Sequence, residues 1–138
     1  MTVYRSVVLA CAPFVIAASI AQDQGGRSTD AKVTPLLTRA LPDVRGKEAV
    51  MLTVEYPPGG SSPAHRHDAS TFVYMLEGSV VMQVAGGKEV TLQPGDTFYE
   101  SPTDIHTVSR NASKTQPAKF LVFFVKKEGA PASAPLDK

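Results

Sequence analysis

The sequence predicts an all-β fold of antiparallel strands, either a sandwich or a barrel. Between about Val50 and Val125 the apolar residues come in short runs rich in Val, Phe, Tyr and Thr, the residue types that fit a pleated, half-buried surface. Clusters of Gly and Pro separate these runs at regular intervals and mark turns. No long stretch shows capped apolar periodicity of the helical kind.

The chain opens with a segment expected to stand outside that fold. Arg5 precedes an uncharged apolar run from Ser6 to Ala18, followed by Ser19-Ile20-Ala21, where small residues occupy the positions a signal peptidase reads. Residues 1–21 are therefore expected to be a signal peptide cleaved after Ala21, and the protein to be exported, periplasmic or secreted. A retained membrane anchor is the alternative, although the run is short against the roughly 20 apolar residues of a bilayer span. Val8-Leu9-Ala10-Cys11 has the look of a lipoprotein cleavage site but too little apolar sequence precedes it. Cleavage would remove Cys11, the one cysteine, and with it any disulfide or thiolate ligand.

Residues 22–41 are polar and contain Gly25-Gly26. They read as a linker that becomes an ordered N-terminal arm near Leu36-Leu37. The barrel is expected over 42–127. Its first strand is Val50 to Tyr56, stopped by Pro57-Pro58-Gly59-Gly60. Phe72 to Leu76 stops at Glu77-Gly78, and Val80 to Val84 stops at Gly86-Gly87, a two-residue hairpin signal because glycine accepts positive φ. Lys88 to Leu92, Thr97 to Glu100, Ile105 to Arg110 and Lys119 to Val125 complete the set. Residues 128–138, with two prolines and no apolar period, are expected to form a flexible tail.

A chain of 138 residues with 14 basic and 13 acidic side chains is the size of one domain, and it offers no basic patch for nucleic acid. No membrane contact is expected once the signal is removed.

His65, His67 and His106 are the only histidines. In a strand, positions i and i+2 share a face, so His65 and His67 aim at one point. His106 closes a second stretch that opens with Gly95-Asp96 and passes through Pro102. Neutral imidazole is a common metal ligand, and three rings on one ion should bring their nitrogens within about 4 Å of one another.

From Val50 to Val125 the chain resembles the cupins, small antiparallel jelly-roll barrels, also described as double-stranded β-helices, with a metal site inside. The likeness rests on Gly59 to His67, on Thr71 to Gly78, and on Gly95-Asp96 with Pro102 and His106. It implies a divalent transition metal ion, Fe, Mn, Ni, Cu or Zn, held by His65, His67 and His106. The chain departs from the pattern where the family places a glutamate four residues after the second histidine, for Thr71 stands there. Asp104 replaces an expected glycine, and an asparagine that often follows the last histidine comes one residue late, as Asn111.

Glu100 is the possible replacement ligand. Alternation gives it the face of Phe98, opposite to Thr97 and Tyr99. If Phe98 points inward then Glu100 does too; the expectation for a strand-end residue is instead a solvated rim group. Asp68 and Glu77 should face outward. Two functions follow. One is a metal-dependent enzyme on a small molecule, of the dioxygenase, isomerase or lyase type, with Glu100 as candidate base and Tyr99, Thr71 and Tyr74 as candidate orienting groups. The other is a non-catalytic protein of the cell envelope that holds or senses a small ligand. If Thr71 faces the site, Val73 and Met75 share its face, and Phe72, Tyr74 and Leu76 form an apolar outer row. The chain's own N-terminal arm at Leu36-Leu37 or a second subunit would cover that row, and a homodimer is the expected cover, as the resemblance also suggests.

Overall fold

The computed structural model describes residues 31–136, and among these every regular element is a strand. In chain order they are β1 (Lys32–Ala40), β2 (Lys47–Tyr56), β3 (Ser61–Ser62), β4 (His65–Arg66), β5 (Ala69–Glu77), β6 (Val80–Val84), β7 (Val90–Leu92), β8 (Thr97–Glu100), β9 (Ile105–Asn111), β10 (Ala118–Lys127) and β11 (Ala134–Pro135). The expected signal peptide, 1–21, lies outside the described residues.

The strands form two antiparallel sheets, ordered β1-β2-β10-β5-β8 and β11-β4-β9-β6-β7, with β3 also paired to β9. Non-sequential neighbours in both are the mark of a jelly roll. Inward side chains of the two sheets meet in one core, where Leu52, Val73 and Phe120 from the first sheet join Val80, Met82 and Leu92 from the second. On β5 the alternation is clean. Thr71, Val73 and Met75 are buried while Phe72, Tyr74 and Leu76 are exposed.

Gly78 turns the chain from β5 to β6 at φ 70°, and an added Cβ would stand 2.4 Å from the Pro117 carbonyl oxygen. Only glycine fits both conditions. The next turn departs from the two-residue hairpin expected at Gly86-Gly87. Met82 pairs with Val90, and the Gly87 amide donates to Val84 O, so a local turn sits within a longer loop.

Both ends of the described chain are more regular than expected. The arm is a nine-residue strand on the edge of the first sheet, slipping register between Pro35 and Leu37. An edge position is where a sheet tolerates proline. The segment expected to be a flexible tail instead returns across the second sheet, with Ala134 and Pro135 paired to Arg66 and His65. A buried ion pair holds its base. Lys126 Nζ donates to Glu48 Oε1 and to the Ala130 carbonyl, and the Gly129 amide donates to the same Glu48 oxygen at 3.2 Å. The ammonium holds the Glu48 carboxyl below its ordinary range.

Candidate metal centre

Two strands bring the histidines together. β4 supplies His65 and is followed directly by His67, while β9 supplies His106, paired directly opposite His65. Their candidate ligand nitrogens all lie within 4.8 Å of one another. That spread is slightly wider than the 4 Å expected, so a loaded site would draw in by less than an ångström.

The tautomers follow from the backbone. His65 Nδ1 is 2.8 Å from Pro63 O, and His67 Nδ1 is 2.6 Å from Ala132 O. A carbonyl only accepts, so both Nδ1 atoms carry the proton. The two Nε2 lone pairs are then left 3.0 Å apart, an arrangement that repels unless a proton or a cation lies between them. His106 is 4% exposed, and neither of its nitrogens has a hydrogen-bond partner. Burial and its two histidine neighbours push its pKa down to about 4; burial, and then His65, lower that of His67. Both rings are neutral near pH 7, the form that binds metal. Lone pairs converging on one buried point fit a divalent ion.

Glu100 is 2% exposed, not a rim residue. Phe98 does point inward, its ring stacked 6.0 Å from that of His106, and Glu100 follows it. The carboxylate Oε2 lies 3.2 Å from His106 Nδ1 and 3.8 Å from His67 Nε2, without hydrogen-bond geometry. Burial, and then the charge of Asp104, raise its pKa to about 7. Thr71 is fully buried with its hydroxyl unpaired, and it pairs across the sheet with Glu100. The family's glutamate position and Glu100 are thus opposite each other on adjacent strands, and the carboxylate comes from the second instead of the first.

Other sequence candidates fall elsewhere. Tyr99, 50% exposed, packs its ring 5.1 Å from Phe72 on the outer face, because alternation separates it from Glu100, and Tyr74 is also outside. Neither reaches the histidines. Asp68 is exposed beside Arg66, and Glu77 is exposed. Asp104 accepts from the Ser101 amide at 2.7 Å, and Asn111 ties Pro57 O and Gln116 O together. Both hold loops.

The histidines open into a cavity of about 580 Å³. Leu52, Val54, Val73, Met82, Phe120 and Phe124 form most of its wall, and Ala132 and Leu136 of the C-terminal segment close one side. Sequence reasoning missed that segment and three cavity hydroxyls, of Tyr56, Ser62 and Ser109.

A family model described as a cupin domain matches residues 52–124, more than half of the 138 residues. The chain belongs to the cupin family. No curated protein matches it in sequence. Among solved structures it is similar to the DMSP lyase DddQ from Ruegeria pomeroyi DSS-3, at 21% identity and TM-score 0.62, covering 76% of this chain and 51% of that one. It is similar to a double-stranded beta-helix domain protein from Klebsiella pneumoniae, at 19% and 0.62, covering 80% and 88%. The polyketide cyclase RemF from Streptomyces resistomycificus is a third, at 23% and 0.58, covering 78% and 73%. The likeness is one of fold, and the chain spans about half the length of the lyase.

Proposed function

We propose that this cupin binds a divalent transition metal ion through His65, His67 and His106, with Glu100 beside it, and acts as an enzyme on a small, mostly apolar molecule. The observation that carries this reading is the pair of tautomer-locked Nε2 lone pairs facing each other across 3.0 Å at the mouth of an apolar cavity. A bound ion would polarise an oxygen atom of the ligand. The chain's own part is to orient the rings through Pro63 O and Ala132 O, to exclude water with the apolar wall, and to hold the Glu100 carboxyl beside the ion. In the metal-free protein burial and then Asp104 raise its pKa to about 7; a dication beside it would favour the carboxylate, the form that can accept a proton from a ligand.

Isomerase, lyase and dioxygenase chemistry all fit this arrangement. The dominance of apolar lining favours a second reading, in which the ligand is held and not converted. Elemental analysis of the purified protein is expected to give about one metal ion per chain. Product analysis and oxygen uptake with a panel of small aromatics and diketones then separate turnover from holding. Protein free of metal after growth in Fe, Mn, Ni, Cu and Zn overturns the proposal.

We also propose that the protein is exported and works as a homodimer. Phe72, Tyr74 and Tyr99 on the outer face of the first sheet are 46%, 45% and 50% exposed, and a second copy would cover them. Light scattering is expected to give twice the chain mass, and Phe72→Glu to give the single mass. A monomeric wild type at high concentration refutes the dimer.

A further inference from the structure

Away from the histidines the cavity wall carries a row of three hydroxyls. Tyr56 OH lies 2.7 Å from Ser62 Oγ and 2.7 Å from Ser109 Oγ. Tyr56 is 1% and Ser109 5% exposed, and all three side chains line the cavity. Three hydroxyls bring three protons, and the two contacts within the row use two of them. Whichever way the row runs, one O–H is left over, on Ser62, on Ser109 or, when both serines donate to it, on Tyr56. Among the described residues neither serine oxygen has another hydrogen-bond partner. Ser62 is half-buried, but on Tyr56 or Ser109 a buried donor left unpaired is unfavourable by about 1–3 kcal/mol, so this end of the cavity asks for an acceptor.

The backbone separates this row from the histidines by a repeated device. Ser109 and His106 are three residues apart on β9, a spacing that in a regular strand puts side chains on opposite faces. Both are buried here because Thr107 is skipped in the pairing, where Gln83 meets Val108 and Val84 meets His106. The neighbouring chain breaks in step. Ser62 pairs with Ser109 and His65 with His106, and Pro63-Ala64 between them is unpaired. Two polar stations therefore face one cavity, about 7 Å apart along the sheet, the two steps from Met82 to Val84 that they oppose at about 3.3 Å per residue, with Val54, Met82 and Phe120 among the apolar residues of its wall.

The charge inventory narrows the ligand. Among the described residues no Lys or Arg lines the cavity, so these residues give the hydroxyl end no countercharge for an anion. The Tyr56 hydroxyl is also kept protonated, since burial, opposed in part by the two serines, raises its pKa, as does the Glu100 charge.

We infer that the Ser62–Tyr56–Ser109 row is a second ligand-anchoring site, which takes a neutral oxygen acceptor, a carbonyl or hydroxyl, at one end of a small molecule whose metal-binding end lies at the histidines. The inference rests on the metal reading above and deepens it. The ligand class is a two-ended one, with oxygen at both ends of an apolar body shorter than the separation of the stations.

The test uses two probes of equal length, hexanohydroxamic acid and the same acid carrying a keto group at its far end. Calorimetry on the metal-loaded protein is expected to show the keto probe binding up to about tenfold tighter, the worth of one good hydrogen bond. In Tyr56→Phe and in Ser109→Ala, each checked for folding by thermal melt, the ratio of the two affinities should fall to near one. Equal affinities in the wild type, as when a water already satisfies the spare proton, overturn the inference, and so does a preference that survives both substitutions. If neither hydroxamate binds and the protein takes up no metal, the metal reading itself has failed. If both bind equally, only the second site has.

Discussion

On β5 and β10 of the first sheet, nine and ten residues long, buried and less buried positions alternate along most of the length. The strands that carry the histidines are two and seven residues long, and they are interrupted at Pro63-Ala64 and at Thr107. Regular alternation gives a wall, because every second side chain meets the opposite sheet and packs there. Interruption lets residues three apart share one face, which a regular strand forbids. To the cavity the first sheet contributes one carboxylate, Glu100, and the second contributes the three rings and two of the three hydroxyls. The division separates what holds the fold from what gathers the candidate ligands.

A pair of substitutions tests that division at its strongest. His106→Ala, in the interrupted sheet, is expected to lower metal affinity by more than about a hundredfold, beyond the loss typical of a group that only supports a ligand, measured by competition with a chromophoric chelator. Met75→Ala, on the regular strand β5 with its side chain fully buried, should lower unfolding free energy by about 2–5 kcal/mol in urea titrations and leave the metal content of the folded fraction unchanged. A large affinity loss in Met75→Ala, or none in His106→Ala, would break the comparison.

A smaller effect sharpens it through pH. In the metal-free protein Glu100 titrates near 7, against 4.5 for an ordinary carboxyl. The folded state keeps its proton longer, so its contribution to stability is full below pH 4.5 and is lost as pH rises to about 7. His106 titrates near 4 instead of 6.5. Its folded state refuses a proton, so its contribution is present above pH 6.5 and is lost as pH falls to about 4; His67 adds in the same sense. The carboxyl and the ring oppose each other, each by at most about 3 kcal/mol. Glu100→Gln removes the carboxyl side alone. Its urea midpoint in excess chelator should therefore rise from pH 4.5 to 6.5, the ordinary values of the two groups, more steeply than that of the wild type. Parallel profiles would mean that the two sheets do not meet electrostatically at this point.

Much of this was legible in the sequence. The seven long or well-bounded strands of the barrel, the inward face of Thr71, Val73 and Met75, and the meeting of three histidines all follow from local pattern, because alternation is a property of each strand by itself. The depth of Glu100 was not legible. Alternation supplies a face, and the burial of a strand-end residue depends on the opposite sheet. Strand β1 was hidden by Pro35, and β11 by its two-residue length and its prolines. The hydroxyl row was hidden because the skipped residue at Thr107 exists only in the pairing of β9 with β6.

The two oxygens that set the histidine tautomers, Pro63 O and Ala132 O, belong to the main chain. Replacing either side chain leaves its carbonyl in place, so a scan of point substitutions would pass over both contacts without a signal. A change of length would not. The turn at Glu128-Gly129 is pinned to the barrel by bonds to Gly46 O, Glu48 and Lys127 O, so one residue inserted or deleted between it and Ala132 would move the oxygen off His67. This stretch of the protein is tolerant of spelling changes and intolerant of frame-preserving insertions, and variation in its homologues is best judged by counting residues before comparing them.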